Sequence, residues 1–180
     1  MVILGIDPGS VVCGYGVLLQ SDKEISLIEY GVINAKKIQK AFPERLKEIF
    51  ERLNSVIHRV KPDTAAFESL FYYKNAQSLI KLSHARAASI LAAAVNNLPI
   101  AEYSAKEIKK AVTGRGNASK EQVQFMVRST LNISETPEFF DATDALAAAI
   151  CHAVRSISPV SSSNNWAEFI KNNPERVINK

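Results

Sequence analysis

Cysteine is scarce: Cys13 and Cys151 are the only two in 180 residues. Two thiols make neither a disulfide framework nor a four-ligand zinc set, so a reducing intracellular compartment, the cytoplasm, is expected. No apolar run approaches the roughly 20 residues that a membrane-spanning helix needs, and no membrane partner is expected. Met1-Val2-Ile3-Leu4-Gly5-Ile6-Asp7 contains no basic residue and meets an acid at position 7. It is expected to be a strand of the folded protein and not a secretory leader. Internal repeats are absent, which excludes solenoids and propellers.

What is present is an ordinary globular composition. Apolar residues make up 47% and charged residues 22%, enough for one domain with a real core. The net charge of +4 is localised. Between Ser104 and Asn132 stand six basic residues (Lys106, Lys109, Lys110, Arg115, Lys120, Arg128) and two acids (Glu107, Glu121). That segment carries the whole excess, and the remainder sums to zero. A basic patch on a neutral body suits a polyanion, because each neutralised phosphate releases condensed counterions. A solvated helix face with extra lysines is the plainer explanation of the same charges.

Periodicity predicts the element order β-β-β-α-β-α-β-α-α-α. Strands are expected at residues 2–6, 13–19 and 25–33, with Ser21-Asp22-Lys23 as a hairpin turn. Leu46, Ile49, Phe50, Leu53, Val56, Ile57 and Val60 recur at helical spacing and predict a helix over 41–61. A short strand over 64–67 delivers Glu68. An alanine-rich helix follows over 75–96, with Leu79, Ile80, Ala87, Ile90, Leu91 and Ala94 expected to face inward. A strand is expected at 100–103. Ser104 with Glu107 resembles a capping box and opens a short helix; further helices are expected over 119–131 and 137–156. The fold class is α/β: a five-stranded mixed sheet, an antiparallel meander followed by parallel crossovers, flanked by helices. Residues 1–157 are expected to form this domain, with 158–180 a polar appendage carrying Trp166 and Phe169.

Three places combine an acid with an apolar element. Asp7 closes the first strand at Pro8-Gly9, at the strand end where α/β sheets place ligands. Glu68 is joined directly to Ala65-Ala66-Phe67 and cannot enter a core unpaired. Asp141 and Asp144 lie three apart and share a helix face, in a helix otherwise small and apolar. Each has an ordinary explanation alone: a turn aspartate, a loop glutamate, first-turn acids complementing a helix dipole. Together they fit a cluster for hard divalent cations such as Mg²⁺ or Mn²⁺, with zinc disfavoured. Two ions about 4 Å apart can activate water and stabilise the leaving oxygen of a phosphodiester. His152 lies roughly 16 Å along its helix from Asp141, too far to share an ion; His58 and His84 are read as structural, and Cys13 and Cys151 as small buried residues.

Gly5-Ile6-Asp7-Pro8-Gly9-Ser10 with Gly14-Tyr15-Gly16-Val17 resembles the opening of RuvC-type Holliday-junction resolvases. Glu68, Phe71, Lys74-Asn75-Ala76, Lys81-Leu82 and Ala85-Arg86 resemble the second block of that family. Lys109, Val112, Gly114, Gly116, Lys120 and Gln122-Val123 resemble the third, and Asp141-Ala142-Thr143-Asp144-Ala145-Leu146-Ala147 the fourth. The resemblance runs from about Val2 to Arg155. It implies a ribonuclease-H-like fold, a homodimer, Mg²⁺ dependence with Mn²⁺ able to substitute, and paired symmetric nicks across a four-way DNA junction. It also implies a branch-migration motor complex as a partner. By motif position, Asp7, Glu68, Asp141 and Asp144 correspond to the metal-binding acids, Lys109 and Lys120 to basic residues near the scissile phosphate, and Phe71 to an aromatic that stacks on opened bases. Tyr72 and Tyr73 extend that aromatic run. Lys74, Lys81, Arg86, Lys110 and Arg115 are further candidates for DNA contact. Three alternatives stay open. An actin- or Hsp70-like nucleotide-binding fragment also begins Gly-Ile-Asp-x-Gly, but no second glycine-rich phosphate loop is present. The others are a non-catalytic DNA-binding relative, and a related nuclease acting on RNA or on another DNA branch.

Overall fold

The structure is a computed structural model and describes residues 1–22, 24–39, 41–69, 75–134 and 140–157. Strands β1 (Val2–Asp7), β2 (Cys13–Ser21) and β3 (Glu24–Ile33) form the expected meander. A four-residue helix α1 (Ala35–Ile38) follows, which periodicity is too short to reveal; Asn34 accepts the Lys37 N–H at 3.1 Å to cap it. Then come α2 (Phe42–Val60), β4 (Thr64–Glu68), α3 (Ala76–Val95), β5 (Ile100–Tyr103), α4 (Ala105–Thr113), α5 (Lys120–Leu131) and α6 (Phe140–Ile157). The start expected at Pro137 for the last helix lies outside the described residues. Among the described residues, no helix is long and apolar enough to cross a membrane.

The sheet has five strands in the order β3-β2-β1-β4-β5. β1 pairs antiparallel with β2 and parallel with β4, and β4 pairs parallel with β5. Strand side chains alternate between faces, and both faces are covered. Ile3, Leu18 and Ala66 point toward α4, α5 and α6, packing against Val112, Val127 and Leu146. Leu4, Val17, Ala65 and Phe67 point the other way, toward α2 and α3. The result is a helix–sheet–helix sandwich.

One packing expectation holds only in part on α3: Leu79 and Ile90 are partly buried, Ile90 against the core, and the other four residues expected inward are exposed. Its inward residues are Ala85, Arg86, Ser89, Ala92 and Ala93, whereas Ile80 and Leu91 are 56% and 53% exposed and Ala87 and Ala94 are also exposed. The helix carries two low-polarity stripes. The small-residue stripe is buried because it lets the helix lie close beneath its neighbours, and the stripe of larger apolar residues faces outward.

Candidate active site

The alternation of the strands decides where the acids emerge. Asp7 is two pairs beyond Ile3 on β1, and Glu68 is one pair beyond Ala66 on β4. Both therefore leave the sheet on the face covered by α6. The parallel β1–β4 register, ending at Ile6↔Phe67, brings the two strand ends level. Both acids are half-buried there.

The opposite wall is the first turn of α6. Its approach depends on glycines of β1 and β2 that share the same face. A Cβ on Gly5 would lie 2.0 Å from the Ala145 carbonyl oxygen, and one on Gly14 2.1 Å from that of Asp141. On Gly16 it would meet Leu146 Cδ2 at 2.4 Å. The backbone of α6 thus rests almost directly on the sheet, with Ala142, Ala145, Ala148 and Ala149 buried at the contact. This seat places Asp141 and Asp144 beside Asp7. A glycine on a strand gives no sign in isolation; three of them on one face opposite an alanine-rich helix would have been the signal.

Electrostatics registers the convergence. Burial, then Asp144, Asp141 and Glu68, push the Asp7 carboxyl up to about 8, and Lys120 opposes them. Burial and Asp144 raise the Glu68 carboxyl, against Lys109, Lys120 and Arg86. Asp144 is raised by burial although Lys120 counters it. Lys120 Nζ donates to Asp144 Oδ2 at 2.7 Å. Burial disfavours the Lys120 ammonium, but Asp144, Asp7 and Asp141 outweigh it and hold the ammonium above its ordinary range. The protein's own cations therefore offset only part of the negative charge.

A cavity of about 310 Å³ opens on this wall, lined by Glu68, Lys109, Lys120 and Asp144 over Ala105, Ile108, Val123 and Ala147. Asp7 and Asp141 are not among its lining residues. The oxygen-only donor set suits a hard divalent cation, and burial, reinforced by the neighbouring acids, holds the Asp7 carboxyl up. Among the described residues, no three His, Cys, Asp or Glu side chains are arranged to hold one ion as they stand. Asp144 turns its Oδ2 to Lys120.

The other site candidates divide. Lys109 and Lys120 reach the cavity. Lys81, Lys110 and Arg115 are exposed on α3, on α4 and in the α4–α5 turn. Phe71, Tyr72, Tyr73 and Lys74 lie outside the described residues. Arg86 is a correction: it is 7% exposed, ion-paired to Glu102 at 2.9 Å and hydrogen-bonded to the Glu68 carbonyl, so it is no surface contact for DNA. A larger cavity of about 460 Å³, lined by Thr113, Arg115, Phe125 and Met126 among others, includes none of the four acids. The thiols are inert, burial pushing Cys13 up to about 12 and Cys151 to about 11. The His152 ring is occupied by the Tyr103 hydroxyl at 2.7 Å.

Comparison with known proteins agrees with this geometry. The profile of the family described as "Crossover junction endodeoxyribonuclease RuvC" matches residues 3–152. The chain is 43% identical to the crossover junction endodeoxyribonuclease RuvC of Cytophaga hutchinsonii over 176 residues, 98% of this chain and 88% of that one. It is 41% identical to that of Chloroherpeton thalassium over 186 residues, 99% of this chain and 100% of that one. Among solved structures, Thermus thermophilus RuvC in complex with a Holliday junction substrate superposes with a TM-score of 0.81 at 33% identity, covering 87% of this chain and 95% of that one. A family profile spanning most of the chain, relatives alike over nearly its full length and a shared ribonuclease-H-like fold leave one assignment: the chain belongs to the RuvC family of crossover junction endodeoxyribonucleases.

Proposed function

We propose that this protein is a divalent-metal-dependent endonuclease that resolves four-way DNA junctions by paired symmetric nicks, in homologous recombination and DNA repair. The observation that carries the reading is the electrostatic meeting of Asp7, Glu68, Asp141 and Asp144, drawn from three elements onto one face of the sheet. Kinship with a protein solved in complex with a Holliday junction supports branched DNA as the substrate.

In this reading the four acids hold Mg²⁺, for which Mn²⁺ can substitute. Bound there, the ions supply Lewis-acid activation of water and of the scissile phosphate. Asp7 and Glu68, fixed at strand ends, set one side of the phosphate site, and Asp141 and Asp144 set the other. Lys120, which donates to Asp144 here, would with Lys109 face the charge that develops on the phosphate. Phe71, with Tyr72 and Tyr73 beside it, stacks on bases at the opened crossover, and Lys74, Lys81, Lys110 and Arg115 hold phosphates. Specificity for the junction comes from DNA shape and deformability. Paired nicks need two copies, and the outward stripe of α3 (Ile80, Leu91, Val95; 56, 53 and 54% exposed) is the face we assign to homodimerisation. Residues 1–157 form the nuclease domain and 158–180 an appendage. The protein acts in the cytoplasm, alongside a branch-migration motor.

The test compares wild type with Asp141→Asn on synthetic four-way junctions, with and without Mg²⁺. Wild type cuts only with the ion, and the variant binds without cutting. Equal cutting by both proteins refutes the catalytic assignment; equal cutting of plain duplex refutes the substrate.

A further inference from the structure

The ladder that holds Glu68 is one-sided. On the β1 side the paired register stops at Ile6↔Phe67. On the β5 side Glu68 still pairs with Tyr103, and the Ser69 N–H donates to the Tyr103 carbonyl at 2.8 Å. Ala65 and Ser69 donate to β5 carbonyls, so the carbonyl of Glu68, one residue out of step, faces β1, where the next residue in register is Pro8 and has no N–H to give. That carbonyl is met by a side chain from across the layer.

Arg86, on the buried face of α3, donates through Nη1 to the Glu68 carbonyl oxygen. Its Nη2 stands 2.9 Å from Glu102 Oε2, and its guanidinium carbon lies 5.5 Å from the centre of the Phe67 ring. Phe67 and Glu102 are register partners on β4 and β5. One planar group thus touches three points around the end of β4. An arginine at 7% exposure is costly to bury without such partners. Glu102 keeps roughly half its side chain in solvent (49%), so the charge being anchored is the arginine's and not the glutamate's.

We infer that Arg86 is a positioning residue for the reaction: it clamps the main chain at the end of β4 and thereby fixes the carboxylate of Glu68 toward the cation site. The inference rests on the proposed role of Glu68 as a metal-holding acid. A guanidinium fork is needed because carbonyl and carboxylate must be engaged at once; a lysine ammonium reaches one or the other.

The experiment uses full-length Arg86→Met, Arg86→Lys and Glu102→Gln beside wild type. Mn²⁺ affinity is read by paramagnetic resonance of free Mn²⁺, junction affinity in the presence of chelator, and cutting as kcat and KM. Loss of an outer partner of a metal ligand typically weakens metal affinity or activity about 10–100-fold. Arg86→Met is expected to weaken Mn²⁺ binding and lower kcat in that range, with KM and junction affinity within about twofold of wild type. Arg86→Lys is expected to fall between the two, and Glu102→Gln to show a smaller loss. Wild-type Mn²⁺ affinity in folded Arg86→Met overturns the inference. So does a loss of junction affinity with Mn²⁺ binding intact, which would make Arg86 a DNA contact. If Arg86→Met does not fold, Arg86→Lys decides: Mn²⁺ binding equal to wild type overturns the clamp, and weaker binding supports it. Absence of cutting by wild type would count against the proposed function alone, since Mn²⁺ binding still reads the clamp.

Discussion

The carbonyl oxygen of Asp141 occupies the space where a side chain on Gly14 would begin, 2.1 Å from the position of a Cβ. The neighbouring atoms are helix backbone, which has no rotamer to yield. Gly14→Ala must therefore lift the first turn of α6 from the sheet. Overpacking of this kind costs about 1–3 kcal/mol, and displacement of a catalytic group by about 1 Å costs on the order of a hundredfold in rate. Denaturant unfolding and junction cutting should show both losses, and Gly5→Ala, against Ala145, should behave alike. A variant as stable and active as wild type would mean that the helix does not need this seat.

The acid cluster should make the metal-free protein less stable as pH rises. The Asp7 carboxyl sits at about 8 when folded, against about 3.9 in an unfolded chain. Between these values the folded state keeps a proton that the unfolded state has lost, so stability falls from about pH 4 to pH 8 and then levels. Asp7→Asn removes this component. In chelator at pH 8 it should be more stable than wild type by an amount on the order of a few kcal/mol, with the difference vanishing below pH 4. Divalent cation should restore wild-type stability at pH 8 and leave the variant nearly unmoved. Urea titrations at several pH values decide it.

Much of this was legible in the chain. Five strands, the main helices and their order follow from apolar spacing, and the acids stand out because each interrupts an apolar element. What was not legible depends on distance in space. That Lys120 meets Asp144 comes from the packing of α5 on α6, and neither residue's surroundings in sequence contain the other. Arg86 reads as one more cation beside basic neighbours until the end of β4 is seen to need a donor. The facing of α3 is legible only in part, because hydropathy does not separate one alanine from another: Ala85, Ala92 and Ala93 lie inward and Ala87 and Ala94 outward.

In the proposed mechanism Lys120 gives up its hydrogen bond to Asp144 when a cation binds. Lys120→Met should slow cutting by roughly a hundredfold, the scale on which one preorganised charge stabiliser is lost, while junction affinity changes by only a few-fold. Measured without DNA, its Mn²⁺ affinity should rise, because Asp144 no longer needs to be released. Weaker Mn²⁺ binding by this variant would contradict the displacement.

Lys110 and Arg115, the exposed cations proposed to meet DNA, should contribute through phosphate charge alone. Lys110→Ala and Arg115→Ala are each expected to lower the slope of log affinity against log salt by about 1, with cutting at saturating enzyme unchanged. A change in saturated cutting rate would place either residue nearer the chemistry.

The homodimer face proposed on the outward stripe of α3 has its own test. Leu91→Glu should shift the protein to a monomer in light scattering coupled to gel filtration, and paired nicks should become single, unpaired ones. A dimer that survives Leu91→Glu and Ile80→Glu together would move the interface elsewhere.

Glu107 serves two elements at once. Its Oε2 accepts from the Ser104 N–H and hydroxyl at 2.8 and 2.7 Å, closing the start of α4, while Oε1 receives Arg155 near the end of α6 at 2.8 Å. Lys109 on α4 and Asp144 on α6 are therefore mounted on a two-rail chassis, tied by residues that do not line the cavity the two share. A change at that tie would shift the setting of one cavity wall against the other without substituting any residue that lines the cavity.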